Sequence, residues 1–353
     1  MDASALYPKP QTSPERQEFY KRLHEKSAAP LWEALGDLIP ALPKPACVAA
    51  LWRYEELRPM LMEAGRLITA REAARRVLVL ENPGLPGAYR ITGSLYAGLQ
   101  LVMPGEDTPT HRHTASALRF VIESKGGYTA VEGERATMRP GDFIITPSWT
   151  FHDHGNPSSE PVVWLDGLDL PIVNMFDTGF AEHYPEEFQP VSKKEGDALL
   201  RYGSNMIPVE YESRGFQSPV FTYPYERSRE TLERLYRNGP VDARHGVKMQ
   251  YINPVTGRSP MPSIAAFLQL LPAGFRSEPY RATDSTVFCV AEGSGRSRIE
   301  GEDIEWREHD VFVAPSWRWV SHESPSGAVL FSFSDRPAQK ALGLWREASR
   351  ADQ

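Results

Sequence analysis

Apolar residues recur at helical spacing over roughly the first 80 residues and at strand spacing beyond them. In "SPERQEFYKRLHEKSAAPLWEALGDLI" a serine precedes Pro14 and an acidic residue follows it, which predicts a helix start. Leu31, Trp32, Leu35 and Leu38 then share one helical face and are read as core. "ELRPMLMEAGRLITAREAARRVLVLEN" carries the same period and ends in a strand-like "RVLVLEN". From about residue 90 the texture becomes short β-rich runs separated by Gly, Pro and acidic turns.

That second texture repeats. "PGEDTPTHRHTASALRFVIESKGGY" (104–128) aligns without a gap on "AGFRSEPYRATDSTVFCVAEGSGRS" (273–297), placing Gly105 on Gly274 and Gly126 on Gly295. "PGDFIITPSWTFHDH" (140–154) then aligns on "EHDVFVAPSWRWVSH" (308–322), with Pro-Ser-Trp shared. The offset is 169 residues in the first pair and 168 in the second, so one deletion reconciles them. Two matches in the same order identify an internal repeat. The chain therefore reads as mainly β: a helical N-terminal region (1–85), a first β unit (86–175), a connector with a helix near 226–238 (176–255), a second β unit (256–340) and a C-terminal tail (341–353). Trp149 and Trp317 occur in both repeats and are assigned to the core of the fold.

Composition narrows the function. A net charge of −7 and a pI near 5.8, without a basic patch, argue against nucleic acid and against a polybasic membrane contact. Two distant cysteines, Cys47 and Cys289, make neither a disulfide framework nor a thiolate cluster. No leader-like start and no apolar run of the roughly 18–20 residues needed to span a bilayer are present. A soluble cytoplasmic protein is expected.

The repeat also acts as an internal control on the chemistry. His111 and His113 fall opposite Tyr280 and Ala282, and His152 opposite Val320, whereas His154 falls opposite His322. Histidines that merely packed strands would have no reason to disappear together; the loss of one metal site explains all three. Residues two apart on a strand share a face, so His111 and His113 converge and His152 closes the triangle from a later strand. Imidazole suits Fe, Zn, Cu or Ni. His154 lies on the face of His152, either handling protons beside the metal or serving the fold as His322 does.

Gly105, His111, His113 and Gly126, followed by Gly141, Pro147, His152 and Asn156, resemble the two cupin motifs. With the helical N-terminal region, "SLYAGLQLVMPGEDTPTHRHT" and "WLDGLDLPIVNMFD", the chain is similar to the gentisate 1,2-dioxygenase family, which includes salicylate and hydroxynaphthoate dioxygenases. The resemblance implies a bicupin, two jelly-roll barrels with a metal in the first only, and a cytoplasmic homotetramer. It implies one Fe(II) on His111, His113 and His152 and cleavage by O2 of the C1–C2 bond of a 2-hydroxybenzoate. Gentisate, converted to maleylpyruvate, is the default substrate; salicylate, 5-nitrosalicylate and 1-hydroxy-2-naphthoate are alternatives.

Many cupins carry a glutamate ligand where this chain has Arg119, a departure shared with the three-histidine family. Arg119 is thereby expected in the pocket, where its planar fork suits a carboxylate and its charge cannot be lost. The resemblance further places Arg75, Tyr96, Gln100 and Asp166 around the substrate, with Asp169 an equal candidate to Asp166 for orienting Arg119. Arg75 is alternatively one of a run of cations with Arg71 and Arg76. Two other classes stay open: a Zn- or Mn-dependent isomerase or hydrolase, against which the absence of a carboxylate base in the motifs counts, and a non-catalytic binding cupin.

Overall fold

The computed structural model describes residue 7, residues 11–212 and residues 217–349. The outermost parts of the expected N-terminal region and C-terminal tail, and residues 213–216 of the connector, lie outside the described residues. The chain divides into two compact units, residues 1–45 and 46–353.

In the first unit, helix Pro14–His24 begins where its sequence places it, with the Ser13 hydroxyl accepting from Arg16 N at 3.3 Å. A second helix, Leu31–Leu38, is tied to it by polar groups. Trp32 Nε1 donates to Tyr20 Oη (2.9 Å), which donates to Glu33 (2.6 Å). No residue of this helix is buried, and Leu31, Trp32 and Leu38 are 56%, 49% and 66% exposed, so the expected core is not formed there. A unit of this length has too little chain to enclose an eight-residue helix.

The second unit contains two β barrels. The first comprises β1 (Tyr96–Val102), β2 (Asp107–His113), β3 (Ala117–Glu123), β4 (Tyr128–Val131), β5 (Glu134–Thr137), β6 (Phe143–Thr146), β7 (His152–Gly155) and β8 (Val162–Leu168). One of its sheets runs β6-β3-β8-β1 and the other β2-β7-β4-β5, the jelly-roll arrangement of non-consecutive neighbours. The second barrel follows the same path with β9 (Ala265–Leu271), β10 (Phe275–Arg276), β11 (Tyr280–Ala282), β12 (Thr286–Ile299), β13 (Glu302–Arg307), β14 (Val311–Ala314), β15 (Val320–Ser324) and β16 (Ala328–Ser334). Here one residue fewer separates the counterparts of β3 and β4, and they run on as the single strand β12, which joins both sheets.

Backbone geometry repeats as well. Positive φ at Glu132, Gly133, Gly141 and Trp149 recurs at Glu300, Gly301, His309 and Trp317, each 168 residues on. Trp149 N donates to His113 O (2.8 Å) and Trp317 N to Ala282 O (2.7 Å). The two tryptophans belong to the fold but not to its core. Trp149 is 39% exposed, and the rings of Trp149 and Trp317 stack on Arg112 and Arg281 at 4.5 and 4.4 Å.

Segments outside the eight-strand frames complete the sheet edges. Val77–Val79 pairs with β1, setting Val77 opposite Gln100, and Val247–Gln250 pairs with β9, setting Lys248 opposite Gln269. Ala50–Trp52 pairs with β14, and Glu347–Ser349, in the expected tail, pairs with β11. Helix Tyr54–Leu67 follows the first of these and buries Tyr54 and Leu61. Tyr54 N donates to Asp310 of the second barrel (2.9 Å) and Tyr54 Oη to Glu123 of the first (2.6 Å). Helix Tyr225–Asn238, where the connector's pattern predicts one, packs on β9.

The barrels hold each other reciprocally. At the end of β8, Asp169 accepts from Ser116 N (2.8 Å) and from the hydroxyl of Ser263, just ahead of β9. At the end of β16, Asp335 accepts from Ser285 N (3.0 Å) and from the hydroxyl of Ser94 (2.7 Å), just ahead of β1. Asp335→Ala strands a buried backbone donor, so it should destabilise the chain by about 1–3 kcal/mol while leaving metal content unchanged. Thermal unfolding and metal analysis on the same preparation check this.

Candidate metal and substrate site

The register of two neighbouring strands brings the histidines together. β2 and β7 are antiparallel, with His111 directly opposite His152 after an irregularity between Thr108 and His111. His113 follows two residues later on the same face. The ligand-capable atoms of all three lie within 4.8 Å of one another, and the ring centroids are 4.2–5.4 Å apart.

Two of the imidazoles are already oriented. His113 Nδ1 donates to Ala115 O (2.7 Å) and His152 Nδ1 to Thr150 O (3.0 Å), because a carbonyl only accepts. Their Nε2 atoms are thereby left as lone-pair donors, the tautomer a metal requires. Burial lowers the pKa of all three; His111, also facing Arg75, drops to about 2. Neutral imidazoles converging on one point fit a divalent cation, with room for further ligands on the cavity side.

The opposite sheet supplies the charged wall. Arg119 on β3 is the register partner of Asp166 on β8, and both are buried. Arg119 Nε lies 3.8 Å from Asp166 Oδ1; one terminal nitrogen bonds Thr146 Oγ1 and the other sits 3.1 Å from His154 Nε2. A guanidinium only donates, so His154 Nε2 accepts and Nδ1 carries the hydrogen, which has no partner among the described residues. Trp164 Nε1 donates to Asp166 Oδ1 (2.8 Å). Burial pushes the Asp166 carboxyl up to about 6, against the opposing pull of Arg119 and Trp164.

Arg75 is not on a common helix face with Arg71 and Arg76. Helix Ala70–Ala73 ends at Ala74, whose φ of 53° turns the chain. Arg71 is left in solvent, Arg76 pairs with Glu106 through two bonds of 2.8 and 2.7 Å, and Arg75 enters the cavity against the His111 ring. Burial, then the nearby Arg119, draws its pKa down to about 10.

Tyr96 and Gln100, on the inward face of β1, complete a cavity of about 470 Å³ shared with Arg75, His111, His113, Arg119, His152, His154 and Asp166. Gln100 Nε2 is buried without a partner. Asp169 is not among these residues, being taken up by the contact between barrels. Two contributions escaped the sequence reading. Thr146 fixes Arg119, and the stretch after β8 (Leu170, Val173, Gly179, Phe180, Ala181) walls the mouth, held by pairing of Ala181–His183 with β2. Thr146 carried no signal in sequence; the mouth residues lie in a segment without strand alternation.

The cupin domain model matches residues 98–168, which span β1 to β8. Over 96% of this chain and 98% of the relative, 56% of residues are identical to a gentisate 1,2 dioxygenase 1 of Aquipseudomonas alcaligenes. The chain belongs to the gentisate 1,2-dioxygenase family. A 5-aminosalicylate 1,2-dioxygenase of Comamonas sp is 36% identical over 93% of this chain and 90% of its own. The crystal structure of salicylate 1,2-dioxygenase from Pseudoaminobacter salicylatoxidans, described as an adduct with gentisate, superimposes with a TM-score of 0.92 at 33% identity, covering 97% of this chain and 96% of that one. The fold of this family member is accordingly a mainly β cupin fold, and its three-histidine group is a metal-binding arrangement.

Replacing His152 by alanine should abolish metal retention, whereas His322→Ala in the second barrel should leave it at the wild-type level. Metal-to-protein ratios by mass spectrometry after desalting decide the matter.

Proposed function

We propose that the chain is an iron(II)-dependent ring-cleaving dioxygenase that splits the C1–C2 bond of a 2-hydroxybenzoate, with gentisate going to maleylpyruvate. The observation that carries the reading is the juxtaposition of three neutral imidazoles with a buried guanidinium group (Arg119), a half-buried one (Arg75) and a single carboxylate. Both atoms of O2 enter the product, so the reaction needs no separate reductant. Gentisate is preferred because the relative at 56% identity carries that name, while the aminosalicylate enzyme stands at 36%.

His111, His113 and His152 would hold the iron, which supplies Lewis acidity toward the oxygens of the substrate and the one-electron chemistry that O2 demands. The remaining steps belong to the protein. Arg119 binds the carboxylate of the substrate and balances its charge in a place where water cannot. Asp166, ionised above about pH 6, keeps Arg119 aligned. His154 offers its free Nδ1–H as a donor, and Arg75 adds a second positive charge at the metal side of the cavity. Tyr96 and Gln100 shape the wall against which the ring lies. Orientation and charge balance are the chain's contribution.

The same reading includes a cytoplasmic homo-oligomer of tetrameric order. Both cysteines are free and buried, and among the described residues no helix is long and apolar enough to cross a membrane. Self-association would cover the exposed Leu31, Trp32 and Leu38.

Iron-loaded protein in an oxygen electrode should consume about one O2 per gentisate, as the stoichiometry requires. Salicylate, 5-nitrosalicylate and 1-hydroxy-2-naphthoate form the comparison set, and no uptake with any of the four would refute the proposal. Arg119→Ala should keep its iron and lower kcat/KM about 10- to 100-fold, the scale of one lost charged hydrogen bond. For Asp166 the ionised form is the competent one, so kcat/KM should fall as pH drops through about 6. In Asp166→Asn that acid limb should vanish; a limb unchanged in the variant assigns it to another group.

A further inference from the structure

The second barrel has lost the metal ligands but not its buried polar groups. At the counterpart of His154 stands His322, 1% exposed, whose Nδ1 lies 2.8 Å from Ser297 Oγ. Ser297 Oγ already accepts from Trp306 Nε1 at 2.8 Å. Among the described residues the Ser297 hydroxyl hydrogen has no other acceptor than His322 Nδ1, and this direction leaves the imidazole hydrogen on Nε2. That Nε2–H is buried and has no partner among the described residues. His245 Nδ1, Gln269 Oε1 and Ser332 Oγ are likewise buried without partners. Four such atoms in one barrel interior are unusual, since buried polar groups are nearly always hydrogen-bonded.

A cation stands among them. Lys248, opposite Gln269 in register, places Nζ 4.8 Å from the Phe267 ring centre and 5.9 Å from that of Phe288. His322 flanks the same Phe288 ring at 5.2 Å. Among the described residues no carboxylate lies within salt-bridging distance of Lys248. Asp284, the acidic group acting on it, is committed to Arg336 (3.2 Å) and to Trp345 Nε1 (2.8 Å). Burial draws the Lys248 amine down to about 7, as befits an ammonium lacking its counter-ion, and its charge lowers the pKa of His322 and His245.

The repeat gives this cluster a meaning. Phe288 occupies the place of Arg119, and the strand pairing with β9 as Val77–Val79 pairs with β1 brings in Lys248 where the first barrel has Val77. Each barrel thus sets cationic side chains and an imidazole donor against its interior, Arg119 and Arg75 with His154 in the first, Lys248 and Arg336 with His322 in the second. We infer that the second barrel binds a compact carboxylate, one oxygen held by Lys248 Nζ and the other by His322 Nε2–H, with Phe267 and Phe288 against its apolar end. Gln269 Oε1 and Ser332 Oγ border the same interior, so a ligand bearing a hydroxyl beside its carboxylate would be accommodated as well.

The test uses the full-length, iron-loaded chain and acetate as probe, with sodium bromide at equal ionic strength and benzoate as parallel arms. Wild type should bind one more equivalent of labelled acetate than Lys248→Met or His322→Leu, and acetate should raise its melting temperature where it does not raise theirs. Affinity at this second site should fall roughly tenfold or more in either variant, as expected for a lost charged hydrogen bond, with O2 uptake unchanged. The inference is overturned if both variants keep the extra equivalent. It is also overturned if bromide reproduces the stabilisation, or if benzoate fills the site as acetate does. Using two variants keeps the result readable should one of them fold poorly.

Discussion

A buried ion pair, Arg119 with Asp166, and the half-buried Arg75 lining one cavity beside three imidazoles form the constraint on which the first barrel depends. Removing an isolated charge from water costs several kcal/mol even after relaxation, so Arg119 is tolerable only with Asp166, Thr146 and His154 around it. Asp166 cannot offset Arg75 as well, and the cavity retains an excess of positive charge. Burial keeps the three metal-side imidazoles neutral, and that excess reinforces it, because a further proton there would face Arg119. The charge that suits the pocket to an anion therefore adds to burial in keeping its histidines in the form that binds metal.

Division of labour between the sheets follows from jelly-roll geometry. β2 and β7 carry the metal-side histidines on one sheet; β3, β8 and β1 carry Arg119, Asp166, Tyr96 and Gln100 on the other. The cavity between the layers is lined by both sets of groups. The distance between layers is fixed in part by contacts far from the chemistry, and the reciprocal Ser–Asp pairs lock the ends of β8 and β16 onto the neighbouring barrel. Asp166 lies three residues before one of those locks, which ties the alignment of Arg119 to the packing of one barrel on the other.

Much of this was legible in the sequence because the repeat exposes what differs between its copies. His111, His113 and His152 stood out by their joint loss, and the structure brings them together. Arg119, Arg75, Tyr96, Gln100 and Asp166 were reachable only through family resemblance, since nothing in their spacing announces a pocket. Asp166 and Asp169 were indistinguishable because both end one strand; register alone separates them, pairing the first with Arg119 and leaving the second beyond the sheet. Helical periodicity misled at Leu31, Trp32 and Leu38, where an apolar stripe exists without neighbours to bury it. Repetition misled at Trp149 and Trp317, because a shared backbone turn preserves a residue as effectively as a shared core.

Arg112, between the two histidines of the H-x-H, separates the requirements of the strand from those of the site. Alternation points it away from the cavity, where it stacks on Trp149 and Phe151 at 4.5 and 4.3 Å and pairs with Glu182 on the adjoining strand at 2.7 Å. Arg281 stacks on Trp317 and Trp319 at 4.4 and 4.5 Å in the barrel that has no metal ligands. Stacking of this kind is worth roughly 0.5–2 kcal/mol and anchors a strand whose inner face carries polar rings instead of apolar packing. The outward arginine therefore belongs to the barrel and the flanking histidines to the chemistry. The second barrel's strand, with Tyr280 and Ala282 in place of the histidines, keeps the same anchor.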